Sequence, residues 1–116
     1  MKLQHIELKP GELHPLCFNL SATEEIIDAF GTMEAMQDAV VGDDVLRKIK
    51  AIDTVLSILL RAGRRYCNEM GIEMPPEIRC RPGDLLDVTD PKAITAIFEA
   101  LSAGSEREIE AAPKNE

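Results

Sequence analysis

The fold is decided by residues 43–71, DDVLRKIKAIDTVLSILLRAGRRYCNEMG. In this stretch apolar residues recur at alternating spacings of four and three, which places them along one face of an α-helix. Further apolar residues widen this apolar stripe, so the middle of the helix needs cover on more than one side. The stripe consists of Val45, Ile49, Ile52, Leu56 and Leu59, and it is widened by Leu46, Val55, Ile58 and Leu60.

The ends of this predicted helix are marked as clearly as its middle. Asp43 or Asp44 supplies an N-cap acceptor, and both carboxylates complement the positive end of the helix dipole. Gly71 can take the left-handed conformation that closes a helix. At about 1.5 Å per residue the helix would be roughly 40 Å long, whereas a compact domain of this size has a radius of gyration of about 13–14 Å. We therefore expect that the chain wraps the helix or that part of it meets a partner.

Composition narrows the class of protein. A chain of 116 residues fits one domain with a small hydrophobic core. The net charge is −8, the pI is near 4.8, and the chain has three Phe, one Tyr and no Trp. An acidic surface with few stacking side chains argues against nucleic acid and anionic membranes as partners. Because the sequence shows neither a membrane span nor a signal peptide, we expect a cytoplasmic protein.

The N-terminal segment predicts a β-hairpin. Polar and apolar residues alternate in KLQHIELK at 2–9, and a Pro-Gly turn pair separates this run from LHPLCFNL. Two strands alone are marginally stable, so the hairpin must pack on helices or pair with a strand of another copy. One face of the hairpin is predicted to carry Ile6, Leu8, Leu16 and Phe18.

Two short helices are predicted after the hairpin. SATEEIIDAFG at 21–31 has the form of a capped helix, in which Ser21 and Glu24 form a capping box. Thr32 then caps a second helix that ends at Gly42. The packing faces are predicted to be Ile26, Ile27 and Phe30 in the first helix and Met33, Met36, Ala39 and Val40 in the second.

The segment after the long helix is too rich in Pro and Gly for regular structure. Pro75 and Pro76 break the helix and favour an extended connection. The apolar residues Leu85, Leu86 and Val88 are interpreted as a short helical turn or an apolar clasp.

A last helix begins near Asp90, which acts as its cap, with Pro91 in the favoured first position. Its predicted buried stripe is Ile94, Ile97, Phe98 and Leu101, up to Gly104. The predicted fold class is α+β, mostly α: an N-terminal β-hairpin packed on a small bundle of four helices with one long central helix. We expect residues 1–104 to form a single globular domain and residues 105–116 to form a charged, mobile tail.

The sequence carries no active-site motif: no glycine-rich phosphate loop, no H-E-x-x-H, no nucleophile elbow and no EF-hand spacing. Cys17, Cys67 and Cys80 include no C-x-x-C pair, which favours reduced thiols over a disulfide framework. No spacing supports a zinc site. We therefore expect no catalytic, metal-binding or cofactor-binding residue. Only convergence of His5 and His14 with the thiols would favour an enzyme.

A cluster of arginines lies at the end of the long helix and in the loop beyond it. Arg61 and Arg65 share a helix face one turn apart. Two interpretations stay open: compensation of the helix dipole with pairing to acidic groups, or a contact surface for an acidic partner. The cluster consists of Arg61, Arg64, Arg65, Arg79 and Arg81.

Three runs carry a resemblance to a known family: LCFNL at 16–20, EIIDAFGTMEA at 25–35 and LSILLRAG at 56–63. With the predicted order of elements, they resemble the tail assembly chaperones of long-tailed bacteriophages and prophages. Those proteins often have a strand, then a helix ending in F-G, then a segment of the S-L-E-E kind, which here is TMEA. The similarity covers residues 3–101.

The resemblance implies a non-enzymatic protein that binds the long, helical tape measure protein and recruits tail tube subunits in the cytoplasm of a bacterial host. The family has no shared catalytic or ligand motif to transfer to this chain. The alternative is a small acidic adaptor or antitoxin-like regulatory module that masks a partner protein. A homo-oligomer is a further open alternative. If part of the apolar stripe stays open, we expect partner binding at Val55, Ile58, Leu59, Arg61, Arg64 and Arg65.

Overall fold

A pair of antiparallel strands and four α-helices follow one another in the computed structural model, which describes residues 3–111 and the side chains up to residue 103. The predicted class is confirmed: the fold is α+β and mostly α, with an N-terminal hairpin and one long helix. The elements are β1 (Gln4–Lys9), β2 (Glu12–Leu16), α1 (Leu20–Phe30), α2 (Met33–Val41), α3 (Val45–Met70) and α4 (Lys92–Ala111), with a 3₁₀ turn at Pro82–Asp84.

The hairpin buries one face against the helices. Ile6 lies opposite His14 across the two strands, and Ile6, Leu8 and Leu16 are buried, as predicted. Phe18 lies beyond β2, which ends at Leu16, so the predicted second strand is shorter than expected, but Phe18 still packs partly buried against the core. The buried position opposite Ile6 belongs to a polar residue, His14.

The cap of α1 differs from the prediction. The side-chain oxygen of Asn19 accepts a hydrogen bond from the N–H of Ala22 at 2.9 Å, so Asn19 is the N-cap. The predicted capping box of Ser21 and Glu24 is therefore wrong, since Ser21 lies inside the helix. The predicted cap of α2 is confirmed, because Thr32 accepts from the N–H of Ala35 at 2.9 Å.

Helix α3 is the centre of the fold, and both of its predicted ends are confirmed. Asp44 accepts from the N–H of Arg47 at 3.2 Å, and Gly71 closes the helix in the left-handed conformation with φ +71°. Twenty-six residues span about 39 Å, close to the longest dimension of the protein, 44 Å. The helix therefore runs from one end of the domain to the other.

Five elements pack against α3 directly: β2, α1, α2, α4 and the 3₁₀ turn. Helix α3 and strand β2 lie very close together at Gly63, where an added Cβ would overlap the carbonyl of Pro15. Beside this contact the N–H of Cys17 donates to the carbonyl of Leu59 at 3.1 Å. Absence of a side chain at Gly63 thus lets the strand lie directly on the helix.

Helix α4 begins at Lys92, one residue after the predicted first position Pro91. The carboxylate of Asp90 accepts from the N–H of Lys92 at 2.9 Å, so Asp90 serves the start of the helix as predicted. Ile97 and Leu101 are buried against the core. The helix continues to Ala111, so the predicted end at Gly104 is wrong. The last part of the predicted tail, residues 112–116, lies outside the described residues.

Candidate functional site

The apolar residues predicted to bind a partner lie in the core. Val55 and Leu59 are completely buried, and Ile58 is 3% exposed. The prediction that the stripe stays open at these residues is therefore wrong. The physical reason is that β2, α1, α2 and α4 surround the middle of α3, where the sequence is most apolar and burial is most favourable.

The basic residues that were expected to bind a partner, Arg61, Arg64 and Arg65, form hydrogen bonds within the chain. Arg61 and Arg65 each donate to one carboxylate oxygen of Glu25 at 3.0 Å. The guanidinium of Arg61, aided by that of Arg65, lowers the pKa of Glu25 below its ordinary value. Arg64 donates to the carbonyl of Pro75 at 2.9 Å. These three arginines thus join α3 to α1 and to the loop, which favours the structural interpretation for them. Arg81, with its side chain 76% exposed, lies 4.0 Å from Asp53, and Arg79 is exposed.

The open part of the apolar stripe is the opposite, N-terminal end of α3. There Val45 is 62% exposed, Leu46 63% and Ile49 46%. These side chains belong to the first turns of the helix, which lie at one end of the elongated domain. Contiguous exposed apolar side chains are typical of surfaces that bind another molecule.

A groove of about 560 Å³ runs along this end of α3. Its walls are the first turns of α3, the segment 83–91 and the start of α4. Ile52, Leu86 and Ile94 are partly buried there, and Val88 is 77% exposed at its side. We call it the α3–α4 groove. Its apolar lining is formed by Val45, Ile49, Ile52, Leu86, Val88, Pro91, Ala93 and Ile94.

The polar lining of the α3–α4 groove is mostly acidic. Asp53, Asp87 and Asp90 contribute carboxylates, and Lys48 contributes the single ammonium group among the described lining residues. The backbone N–H and the hydroxyl of Thr89 both donate hydrogen bonds to Asp87. These bonds lower the pKa of the Asp87 carboxyl, and the backbone N–H has the larger effect. Asp87 is therefore ionised at neutral pH.

Internal hydrogen bonds fix the loop that forms one wall of the groove. The carboxylate of Asp53 on α3 accepts from the N–H of Gly83 at 2.8 Å, which ties the loop to the long helix. Asp87 accepts from the N–H of Thr89 at 3.0 Å, and Asp90 caps α4. The groove is thus built before any partner arrives.

On the opposite side of the same end, Leu46 lines a second depression of about 480 Å³. Phe30, Ala39 and Ala51 contribute its apolar lining, while Arg47 and Lys50 add basic groups. Apolar surface is therefore accessible on both sides of the first turns of α3.

A smaller cavity, of about 150 Å³, is lined by His14, the polar residue on the buried face of the hairpin. The Nε2 atom of His14 lies 3.5 Å from the Oε1 atom of Glu12. In the described part of the chain neither of these two atoms has a hydrogen-bond partner. Burial lowers the pKa of His14, although Glu12 opposes this effect. The contact at neutral pH therefore involves an uncharged imidazole.

His14 shares this cavity with Cys80, but His5, which the convergence favouring an enzyme also requires, does not line it. Among the described residues, no hydrogen bond joins the imidazole to the thiol, and no group of three or more His, Cys, Asp or Glu is arranged to hold a metal ion. The other two thiols, Cys17 and Cys67, are buried, and burial raises the pKa of each. A raised pKa keeps a thiol protonated and weakly nucleophilic.

Only some residues of the α3–α4 groove could be predicted from the sequence. Leu85, Leu86 and Val88 are predicted to form a short helical turn or an apolar clasp, and two of them, Leu86 and Val88, line the α3–α4 groove. No sequence signal indicates that Asp87 and Asp90 border an apolar surface, because turn formation and helix capping explain both residues.

Comparison of the chain with protein-family models, with curated proteins and with solved structures finds no match. Among the described residues, no helix is long and apolar enough to cross a membrane.

Proposed function

We propose that this protein is a non-enzymatic tail assembly chaperone of long-tailed bacteriophages or prophages. In this role it binds the tape measure protein and helps to recruit tail tube subunits in the cytoplasm of the bacterial host. The observation that carries the proposal is the open apolar end of α3, where Val45, Leu46 and Ile49 are exposed beside a preformed groove. The resemblance of residues 3–101 to this family supplies the identity of the partner.

The chemistry of the surface suits a chaperone. A long amphipathic helix exposes an apolar stripe until it is assembled, and such a stripe promotes aggregation. A groove lined by apolar side chains covers the stripe by the helix-in-groove mode of recognition. The net charge of −8 keeps such a complex soluble while it waits for assembly.

Co-expression tests the proposal. The protein is produced with segments of a tape measure protein of a long-tailed bacteriophage, one segment at a time, and each segment is tested for solubility and co-purification. We expect at least one segment to become soluble and to elute with the protein. Failure of every segment to co-purify, with the protein itself folded, would overturn the proposal.

Salt separates this function from the alternative of an acidic adaptor or antitoxin-like module. At about 1 M salt the Debye length falls to about 3 Å, so a complex held by surface charge dissociates. Apolar contacts are not screened in this way, and we expect the chaperone complex to persist. Complete dissociation by salt would favour the adaptor.

A further inference from the structure

The occupant of the α3–α4 groove is constrained first by its apolar lining. Ile49 of α3, Val88 of the loop and Ile94 of α4 approach the groove from three different elements. A ligand that covers all three needs apolar groups spaced along its length. An amphipathic helix supplies them, because residues three, four and seven apart lie on one face.

The backbone of the loop argues against an extended peptide. A strand that binds by β-augmentation needs free N–H and C=O groups along an edge. Most N–H groups of the loop are already used within the chain, and Pro91 has none. Those that donate internally belong to Gly83, Asp84, Leu85, Thr89 and Asp90. A helix needs no such donors, because its own backbone is satisfied internally.

Charge constrains the flanks of the helix. Asp53, Asp87 and Asp90 line the groove against the single ammonium of Lys48. Asp53 is 19% exposed and is engaged by the N–H of Gly83 and, at 4.0 Å, by Arg81, so Asp87 and Asp90 are the carboxylates that an occupant meets. Asp90 also lies 3.9 Å from the ammonium of Lys92, which leaves Asp87 as the stronger attraction for a basic side chain. Each keeps acceptor capacity beyond its local hydrogen bonds. Acidic flanks repel acidic side chains and attract Lys or Arg.

We infer that the α3–α4 groove binds an amphipathic helix whose apolar stripe is flanked by Lys or Arg side chains. The inference rests on the proposed function only for the source of that helix, a segment of the tape measure protein. It names the chemistry that selects one segment over the others: an apolar stripe that covers Val45, Ile49 and Val88, with basic residues placed against Asp87 and Asp90.

Designed helical peptides test the inference without the tape measure protein. A pair of peptides carries the same stripe of Leu at spacings of three and four; one has Lys beside the stripe and the other has Glu. Fluorescence anisotropy measures the binding of each to the full chain. We expect the Lys-flanked peptide to bind at least about fivefold more tightly at low salt, because rim charge pairs each contribute a modest attraction.

Groove variants locate the binding site. Val88→Glu places a charge on the apolar wall, against the Leu stripe of the peptide, and we expect it to weaken the binding of the Lys-flanked peptide about tenfold. The new carboxylate must lose water on binding, and this cost exceeds the modest attraction of one exposed charge pair with Lys. Leu20→Glu is the matched control, since Leu20 is an exposed apolar residue outside the groove. It should leave binding unchanged.

Charge variants test the flanks. In Asp87→Asn with Asp90→Asn the remaining side-chain oxygen still accepts the local hydrogen bonds, so the loop keeps its shape while two charges are removed. We expect this double variant to reduce the preference for Lys over Glu about fivefold. The control double variant, Glu24→Gln with Glu69→Gln, removes the same charge at exposed helix positions outside the groove and should keep the preference.

Each outcome has a definite meaning. Equal binding of the two peptides, or loss of binding in the Leu20→Glu control, would overturn the inference. Binding of neither peptide would also overturn it. If a tape measure segment co-purifies with the Val88→Glu variant as well as with the unaltered protein, the inference fails while the proposed function stands.

Discussion

The division of the α3 stripe into a covered and an open part predicts a large difference between two alanine substitutions seven residues apart. Leu56 is fully buried, whereas Ile49 is 46% exposed. Leu56→Ala removes buried methyl groups and leaves a cavity between the packed elements, so we expect it to lower the free energy of unfolding by about 2–5 kcal/mol.

Ile49→Ala should have a much smaller effect. Full burial of an Ile side chain is worth about 1.5–3 kcal/mol, so a half-exposed one contributes about 1 kcal/mol. Alanine has the higher helix propensity and recovers up to about 0.5 kcal/mol of this loss. The expected net decrease in the free energy of unfolding is therefore about 0.5–1 kcal/mol, without a cavity contribution.

Urea denaturation followed by circular dichroism measures both values. Equal m-values would show that the two variants unfold from comparably compact native states. The reasoning would be refuted if Ile49→Ala destabilised the protein as much as Leu56→Ala. That result would mean that the first turns of α3 are covered in solution, and the measurement repeated at several protein concentrations would show whether a second copy provides the cover.

Three further substitutions test particular contacts. Gly63→Ala should destabilise the fold by about 1–3 kcal/mol, because the added Cβ would overlap the backbone of Pro15 and this overpacking outweighs the better helix propensity of Ala. A higher midpoint in thermal melts would contradict this contact. Asn19→Ala should lower the free energy of unfolding by about 1 kcal/mol and Ser21→Ala by much less; equal losses would restore Ser21 as the cap of α1. The lowered pKa of His14 means that the unfolded chain binds this proton more readily, so its contribution to stability is complete above the ordinary pKa of 6.5 and declines as the pH falls toward the folded value. His14→Gln should flatten this decline in denaturation curves measured across that range, and an unchanged decline would assign it to other groups.

The elements of the fold were predictable because local signals determine them. The apolar stripe, the cap at Asp44 and the left-handed Gly71 define α3 from its own sequence. Thr32 and Asp90 likewise mark the starts of their helices. The N-cap of α1 was harder to predict, because Asn19 and Ser21 are both favourable N-cap residues. Only the position of α1 in the fold decides between them.

The location of the open surface was not predictable, because it depends on which elements cover α3. The sequence is most apolar near Val55 and Leu59, and this invited the interpretation that the excess apolar surface would be exposed there. Folding instead places the most apolar part at the centre of the domain, and the less apolar turns at Val45 and Ile49 remain open. Periodicity identifies the face of a helix that is buried, but it does not show where along the helix the cover ends.

The most direct test of the account is co-purification of the tape measure protein with groove variants. The unaltered protein, Val88→Glu and Leu20→Glu are each co-expressed with the segment that binds most tightly, and the bound fraction is measured at equal amounts of folded protein. We expect the unaltered protein and Leu20→Glu to retain the segment and Val88→Glu to lose most of it. Full retention by Val88→Glu would contradict binding in the α3–α4 groove, and absence of a complex with the unaltered protein would contradict the chaperone function itself.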